Sequence, residues 1–175
     1  MRNMRTFIIW ICAALTALAL LPMGGCARHK HIVVESGRVE DYYCSFYDDE
    51  TVEITAYVGS ASELKLPNKI GDFTVVGFGM KAFDGCPELT RVYIPPTVRS
   101  LPSKLFNGCP KLEAFYFSGS VESIGKNVVF ECPEFTTVLY GGTVSAWDLV
   151  NVGSVPWTDN YILINAEIKY IQSAN

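Results

Sequence analysis

The sequence is poor in histidine, and its two histidines, His29 and His31, both lie near the N-terminus. Ser–His or Cys–His nucleophile pairs and histidine-ligated catalytic zinc are therefore excluded from the rest of the chain. No glycine-rich phosphate loop follows a predicted strand. The acidic residues between Asp48 and Glu53 fit a solvated turn better than a pair of glycosidase carboxylates. We therefore expect no enzymatic activity and assign no catalytic residue.

Basic residues are in the minority as well, with 14 Lys and Arg against 18 Asp and Glu and a net charge of −4. The segment 1–25 contains Arg2 and Arg5 but no acid, so the remainder carries a charge of about −6. Nucleic acid is therefore excluded as a partner, because its phosphates require a basic face. Peripheral binding to anionic lipid is not expected either. By contrast, an apolar fraction of 49% predicts a packed core rather than disorder.

The segment 1–26 has the pattern of a bacterial export signal. Arg2 and Arg5 precede an apolar run, and Gly24 and Gly25 lead into Cys26. The end of this segment resembles a lipobox, in which the cysteine is lipidated and becomes the mature N-terminus. The alternative is an uncleaved signal-anchor helix, since about 17 apolar residues are just enough to span a bilayer.

We therefore predict a lipoprotein-type signal peptide at 1–25, a tether at 26–38 and a folded domain at 39–175. The lipidation site would be Cys26. The protein would be exported and held at a membrane of the bacterial cell envelope, facing outward.

A 23-residue repeat organises the folded domain. It is clearest in the segments FDGCPEL (83–89), FNGCPKL (106–112) and VFECPEF (129–135). Other apolar positions keep the same register: Val92, Phe115 and Val138; Ile94, Phe117 and Tyr140; Val98, Val121 and Val144; Leu101, Ile124 and Trp147. A fixed period in the twenties is typical of a solenoid, in which one supersecondary unit stacks on the next.

Each repeat begins with a short strand and ends in a turn that carries phenylalanine and cysteine. The spacing from Leu89 to Ile94 and from Leu112 to Phe117 follows the pattern L-x-x-L-x-L, whose named positions face the core. The predicted core residues of the repeats are Phe83, Cys86, Leu89, Phe106, Cys109, Leu112 and Cys132. The sequence therefore predicts a mainly β solenoid with short helical turns and about four coils, capped at both ends.

Both caps have their own patterns. Residues 39–58 alternate apolar and polar side chains around Asp48–Glu50 and predict a β-hairpin over the N-terminal end. The repeats occupy 59–142, with a first coil that is wider than the others and contains a turn at 70–73. Residues 143–175 form the C-terminal cap. In it we predict a short helix at 143–150, capped by Thr143 or Ser145, and a strand at 162–171 with one polar face.

These repeats resemble the BspA-type leucine-rich-repeat family of bacterial surface proteins. Residues 80–95 fit the family coil almost position by position, and 54–59 resemble its first coil. Residues 139–143, followed by 146–147 and 165–168, resemble its closing segment. The likeness covers residues 40–171. The third coil departs from the pattern, because Val129 replaces the phenylalanine, which moves to Phe130. The resemblance implies a leucine-rich-repeat solenoid and adhesion to host matrix proteins or to other cells.

The three repeat cysteines should form a column with a spacing of one coil, near 5 Å. A metal site would want ligands close together in sequence or additional histidines, and we expect neither a metal nor a cofactor. Buried cysteine acting as a small apolar residue is the better interpretation. A disulfide between neighbouring coils is the alternative, and it would leave an odd thiol such as Cys44.

The remaining candidate site is the outward face of the strand ladder. The predicted binding residues are Lys65, Arg91, Tyr93, Tyr116 and Leu139. Exposed tyrosine beside arginine is enriched at binding hot spots, although β-favoured tyrosines can simply cover a sheet. We expect a surface-anchored module that recognises a protein or glycan ligand. The alternative is a structural or accessory envelope lipoprotein that docks another component of the same cell.

Overall fold

Short strands are the main regular elements of the chain, and a computed structural model describes residues 32–153 and 160–171. These residues belong to one compact unit, 31–175. The signal peptide, Cys26, both histidines and the first part of the tether lie outside the described residues.

The strands are β1 (Val33–Val39), β2 (Tyr42–Tyr47), β3 (Thr51–Tyr57), β4 (Glu63–Lys65), β5 (Lys69–Ile70), β6 (Phe73–Phe78), β7 (Phe83–Asp84), β8 (Arg91–Tyr93), β9 (Ser100–Leu101), β10 (Phe106–Asn107), β11 (Ala114–Ser118), β12 (Ser123–Ile124), β13 (Val129–Phe130), β14 (Thr137–Gly141), β15 (Asn151–Val152) and β16 (Glu167–Tyr170). Two helices of four residues each, α1 (Val144–Trp147) and α2 (Tyr161–Ile164), complete the described elements. Neither helix is long or apolar enough to cross a bilayer.

Parallel pairing between coils confirms the repeat period. Phe106 lies opposite Phe83 on one side and opposite Val129 on the other. In the main strand of each coil, Phe115 pairs with Val92 and with Val138. The coils thus form three parallel sheets, with strand orders β13-β10-β7, β16-β14-β11-β8-β4 and β15-β12-β9. The mainly β solenoid is therefore confirmed, while the count of about four coils stays a prediction.

The first coil is wider than the others, as the sequence predicts. Leu64 lies opposite Val92 in the parallel ladder. The additional residues form a tight antiparallel turn between β5 and β6, with Ile70 opposite Phe73. Gly71 lies in this turn with φ of +61°, a conformation that glycine adopts without steric cost.

The interior consists of apolar side chains stacked from coil to coil. The rings of Phe83 and Phe106 stack with centroids 5.2 Å apart, and Phe106 stacks in turn on Phe115 at 5.4 Å. All seven repeat-core residues named above are buried, with at most 6% of any one of them exposed. Burial of whole aromatic side chains contributes about 1.5–3 kcal/mol each relative to exposure, so this stack is a main source of stability.

The tether is shorter than predicted. Residues Val33–Val39 form β1, which pairs antiparallel with β2 and places Val39 opposite Tyr42. A two-residue turn joins the strands, and its first residue, Glu40, has φ of +52°. The prediction of a tether as far as residue 38 is therefore wrong for 33–38. These residues gain ladder hydrogen bonds that an extended linker could not make.

The hairpin of β2 and β3 matches the predicted alternation around residues 48–50, with Tyr42 opposite Tyr57. The acidic side chains of this hairpin form local hydrogen bonds. Asp48 Oδ1 accepts from Ile32 N at 3.2 Å, and Tyr47 donates to Glu53 Oε2 at 2.8 Å. The sheet then continues in parallel from β3 to β6, which joins the N-terminal cap to the first coil.

The C-terminal cap differs in part from the sequence prediction. The helix is present as α1, and its N-cap Thr143 accepts a hydrogen bond from Ala146 N at 3.1 Å. The single strand predicted at 162–171 is wrong, because 161–164 form α2 and only Glu167–Tyr170 form β16. Leu163, which the strand phase would place on the polar face, is buried instead.

Asn160 fixes the position of α2 from a left-handed backbone conformation with φ of +63°. Its side-chain oxygen accepts from Val128 N at 2.9 Å, and its amide nitrogen donates to the carbonyls of Gly125 and Gly153 at 2.9 and 2.6 Å. One buried amide thus satisfies backbone groups that would otherwise lose hydrogen bonds on burial.

Candidate functional site

Five consecutive strands place one side chain each in a single outward row. The register pairs Lys65 with Tyr93, Tyr93 with Tyr116, Tyr116 with Leu139, and Leu139 with Lys169. We call these five residues the strand-face row. Successive side chains of a strand point to opposite faces, so the residues on either side of each row member point inward, and Val92, Phe115 and Val138 are fully buried.

Contacts within the row fix the tyrosines. The rings of Tyr93 and Tyr116 have centroids 5.9 Å apart and planes inclined at 42°. Lys65 Nζ lies over the Tyr93 ring, 5.5 Å from its centroid. Both tyrosines are half-buried. The row therefore presents two preorganised aromatic faces rather than two mobile side chains.

The hydroxyl of each tyrosine has a defined environment. A hydrogen bond to the Glu63 carboxylate, and to a lesser extent burial, raises the pKa of Tyr93. Tyr116 leans over Gly141, where a Cβ atom would lie only 2.6 Å from the tyrosine oxygen. The absence of a side chain at Gly141 is therefore what allows the Tyr116 ring to rest against β14.

A second row runs beside the first, two residues earlier in each strand. It consists of Glu63, Arg91, Ala114, Thr137 and Glu167, in the same register. Arg91 belongs to this row and forms an ion pair with Glu113 at 3.8 Å. Ala114, which the sequence places outward, is buried. The structure thus brings Lys65, Tyr93, Tyr116 and Leu139 into one row and places Arg91 beside it.

Sequence reasoning missed Lys169 as a member of the row. Lys169 lies opposite Leu139 and pairs with Glu167 at 3.2 Å. A signal was present, because the segment EIKY (167–170) repeats the pattern of TVLY (137–140). It was hidden because more than one repeat period separates the two segments.

The cysteine column offers no comparable chemistry. Cys44, Cys86, Cys109 and Cys132 are all free and buried. Hydrogen bonds to the Cys109 sulfur, followed by burial, raise the pKa values of Cys86 and Cys132, so both keep their protons at neutral pH. The same hydrogen bonds lower the pKa of Cys109, whereas burial raises it. Cys109 is fully buried, however, and a thiolate acts as a nucleophile or metal ligand only where a partner can reach it.

Across residues 32–153 and 160–171, no three Asp, Glu, His or Cys side chains are grouped so that they could hold a metal ion. The strand face is therefore the strongest candidate site that the described residues offer.

Two solved structures share this fold. One is a leucine-rich cell surface protein from Faecalibacterium prausnitzii A2-165, with 25% identity, a TM-score of 0.53 and coverage of 58% of this chain. Our chain spans only 29% of that protein. The other is a leucine-rich repeat protein from Bacteroides capillosus ATCC 29799, with 20% identity and a TM-score of 0.55. That alignment covers 68% of this chain and 99% of the other.

A comparison with curated proteins found no match. The model of the BspA-type leucine-rich-repeat region, however, matches residues 50–148 in six copies. This match covers more than half of the chain and includes every coil that carries the strand-face tyrosines. The chain therefore belongs to the BspA-type leucine-rich-repeat family.

Proposed function

We propose that the protein is a non-enzymatic binding module on the outer surface of a bacterial cell, and that the strand face is its contact surface. The observation that carries this proposal is the aromatic pair Tyr93 and Tyr116, half-buried on the outward face of the ladder with ring centroids 5.9 Å apart. Tyrosine and arginine dominate binding hot spots because they combine a large apolar area with polar tips. Arg91 lies next to the two tyrosines, so the face contains both of these residue types.

The proposed location rests on the N-terminal segment and on one relative. A lipidated Cys26 would hold the domain at the membrane, with the described domain beginning a few residues later. The similar protein from F. prausnitzii is described as a cell surface protein. Many copies on one surface would also raise a modest single-site affinity through multivalency.

The test is adhesion of bacterial cells that display the full-length protein. Cells would be applied to immobilised host matrix proteins, to immobilised glycans and to envelope extracts of the same bacterium. We expect retention on at least one of the first two surfaces and a loss of at least tenfold in the double variant Tyr93→Ala/Tyr116→Ala. Truncation of paired hot-spot aromatics commonly has an effect of this size or larger.

A matched control is available beside another sheet, directly before β9 and β12. Arg99 and Glu122 are also exposed, and their ion pair of 2.6 Å joins neighbouring coils. The variant Arg99→Ala/Glu122→Ala should bind as the wild type does. Equal retention of the tyrosine variant and the wild type would overturn the proposal, as would retention on the envelope extract alone.

A further inference from the structure

We propose that the ligand of the strand face is an uncharged linear polysaccharide that lies across the strands, along the strand-face row. This inference rests on the proposed function and names the chemical class of its ligand.

The first argument is the size of the face. The row crosses five strands, which corresponds to about 19 Å at the usual strand spacing. With the second row beside it, the face has an area on the order of 200 Å², whereas a stable protein interface buries about 800 Å² on each partner. A long, narrow ligand therefore fits the face better than a globular protein does.

The second argument is that the backbone of the sheet is already hydrogen-bonded. The inner strands β8, β11 and β14 are hydrogen-bonded on both sides. A peptide that binds by strand addition needs a free edge. The edge strands β4 and β16 are only three and four residues long, and both carry an outward glutamate and lysine that discourage such pairing. The ligand must therefore contact side chains, without help from the main chain.

The third argument is charge. Lys65, Arg91 and Lys169 are balanced on this face by Glu63, Glu113 and Glu167. Two of the cations already have carboxylate partners, Arg91 with Glu113 at 3.8 Å and Lys169 with Glu167 at 3.2 Å. The third, Lys65, packs on the ring of Tyr93. A polyanion would have to compete with these contacts and approach three carboxylates, whereas an uncharged ligand would not.

The side chains present suit sugars. The exposed parts of the Tyr93 and Tyr116 rings, which Lys65 and β14 leave uncovered, can pack against the C–H faces of pyranose rings, since aromatic bodies favour apolar contact. Glutamate oxygens accept and the Arg91 guanidinium donates hydrogen bonds, which matches hydroxyl groups that do both. Because Tyr93 and Tyr116 lie on neighbouring strands, a polymer with a regular repeat can place successive sugar rings over the two tyrosines.

The experiment uses the full-length protein in detergent and an array of defined oligosaccharides. Neutral glucan, mannan and xylan fragments are compared with fragments that contain uronic acid or sulfate. We expect binding to at least one neutral series. The affinity should rise with chain length until the fragment spans the row of about 19 Å, and then level off. It should change less than twofold between low and high salt, because no ionic contact is formed.

Two variants connect the binding to the face. Tyr93→Ala/Tyr116→Ala should lose at least tenfold in affinity, and Arg99→Ala/Glu122→Ala should lose none. Binding only to anionic fragments or to a protein, if it depends on the two tyrosines, would overturn this inference and leave the proposed function intact. Binding to neutral fragments that ignores the tyrosines would also overturn it. If no ligand of any class binds through the two tyrosines, both this inference and the proposed function are overturned.

Discussion

At residue 131 the third coil has glutamate where the two preceding coils have glycine. Gly85 and Gly108 have φ of +61° and +63°, and Glu131 has φ of +53° in the equivalent position. A residue with a Cβ atom is strained there by about 1–2 kcal/mol, because the Cβ atom approaches the following carbonyl oxygen. Position 131 therefore stores strain that the repeat itself does not require.

Replacement of Glu131 by glycine should stabilise the protein. Relief of the strain is partly offset by the greater entropy of glycine in the unfolded chain, so we expect a gain of about 0.5–1 kcal/mol in the free energy of unfolding, measured with urea. The reciprocal control is Gly108→Ala, where a Cβ atom would meet no atom within 4 Å. Because no steric clash contributes, this variant isolates backbone strain, and its free energy of unfolding should be lower by about 1 kcal/mol. A destabilised Glu131→Gly protein would contradict the strain argument.

The buried thiol of Cys44 makes stability depend on alkaline pH. Burial raises the pKa of Cys44 from 9.0 to about 11. The unfolded chain therefore loses this proton at lower pH than the folded chain does. The stabilising contribution is present below pH 9 and is lost as pH rises through 11, by an amount on the order of 2 kcal/mol.

Urea unfolding at pH 8 and pH 11 measures this effect in the wild type and in Cys44→Ala. Tyrosines and other thiols titrate in both proteins, so the difference between their slopes isolates Cys44. We expect a smaller loss of unfolding free energy between the two pH values in the variant. Identical losses would show that the Cys44 thiol is not the source.

Among the elements, the short strands that carry phenylalanine provide the core contacts between coils. Phe106 of β10 is fully buried between two coils, whereas Phe130 of β13 is half-buried and lies beneath Lys104 Nζ at 4.7 Å. Phe106→Ala should lose about 3–5 kcal/mol of unfolding free energy, because it leaves a cavity within the stack. Phe130→Ala should lose about 1 kcal/mol. Similar losses at the two positions would contradict the assigned core register.

The sequence was most informative where coils repeat and least informative where they stop. Because the repeats have the same length, equivalent residues of neighbouring coils lie opposite each other. The pairing of Phe83, Phe106 and Val129 therefore follows from their constant distance to the repeat cysteines. Residues 161–164 have no such constraint. Their apolar pattern fits a short strand as well as a helical turn, and the amide of Asn160, just before them, is bound to backbone groups of Val128 and Gly125 that lie far away in sequence. The same holds for β1, whose pairing depends on a turn at Glu40 that has no glycine to mark it.

The candidate face was predictable for the same reason. Lys65, Tyr93, Tyr116 and Leu139 follow from the phase of the repeat, which sets their direction and their neighbours. Lys169 could not be placed in this way, because α1, β15 and α2 intervene before β16 rejoins the sheet. Long-range closure of that kind depends on tertiary packing, and local sequence carries little information about it.

For the whole molecule, the proposed lipid anchor at Cys26 can be tested directly. We expect mass spectrometry of protein from bacterial membranes to find acyl groups on Cys26 as the first residue. Cys26→Ser should abolish acylation, because the serine hydroxyl cannot replace the thiol as the acceptor. A free N-terminus further along the chain would indicate ordinary secretion, and an intact Met1 would indicate a signal anchor.

The constant register has a consequence for how such a chain can change in length. Strand residues of neighbouring coils pair with residues one full period away along the chain. Ala114, for example, pairs with Arg91 on one side and with Thr137 on the other. A splice that removes or duplicates one whole period between β8 and β14 therefore leaves every surviving strand with an equivalent neighbour, whereas additional residues keep the register only where they form a separate turn, as they do between β5 and β6. The repeated part of the domain can thus be extended or trimmed in whole periods, and each period adds or removes one strand of the sheet that carries the strand-face row.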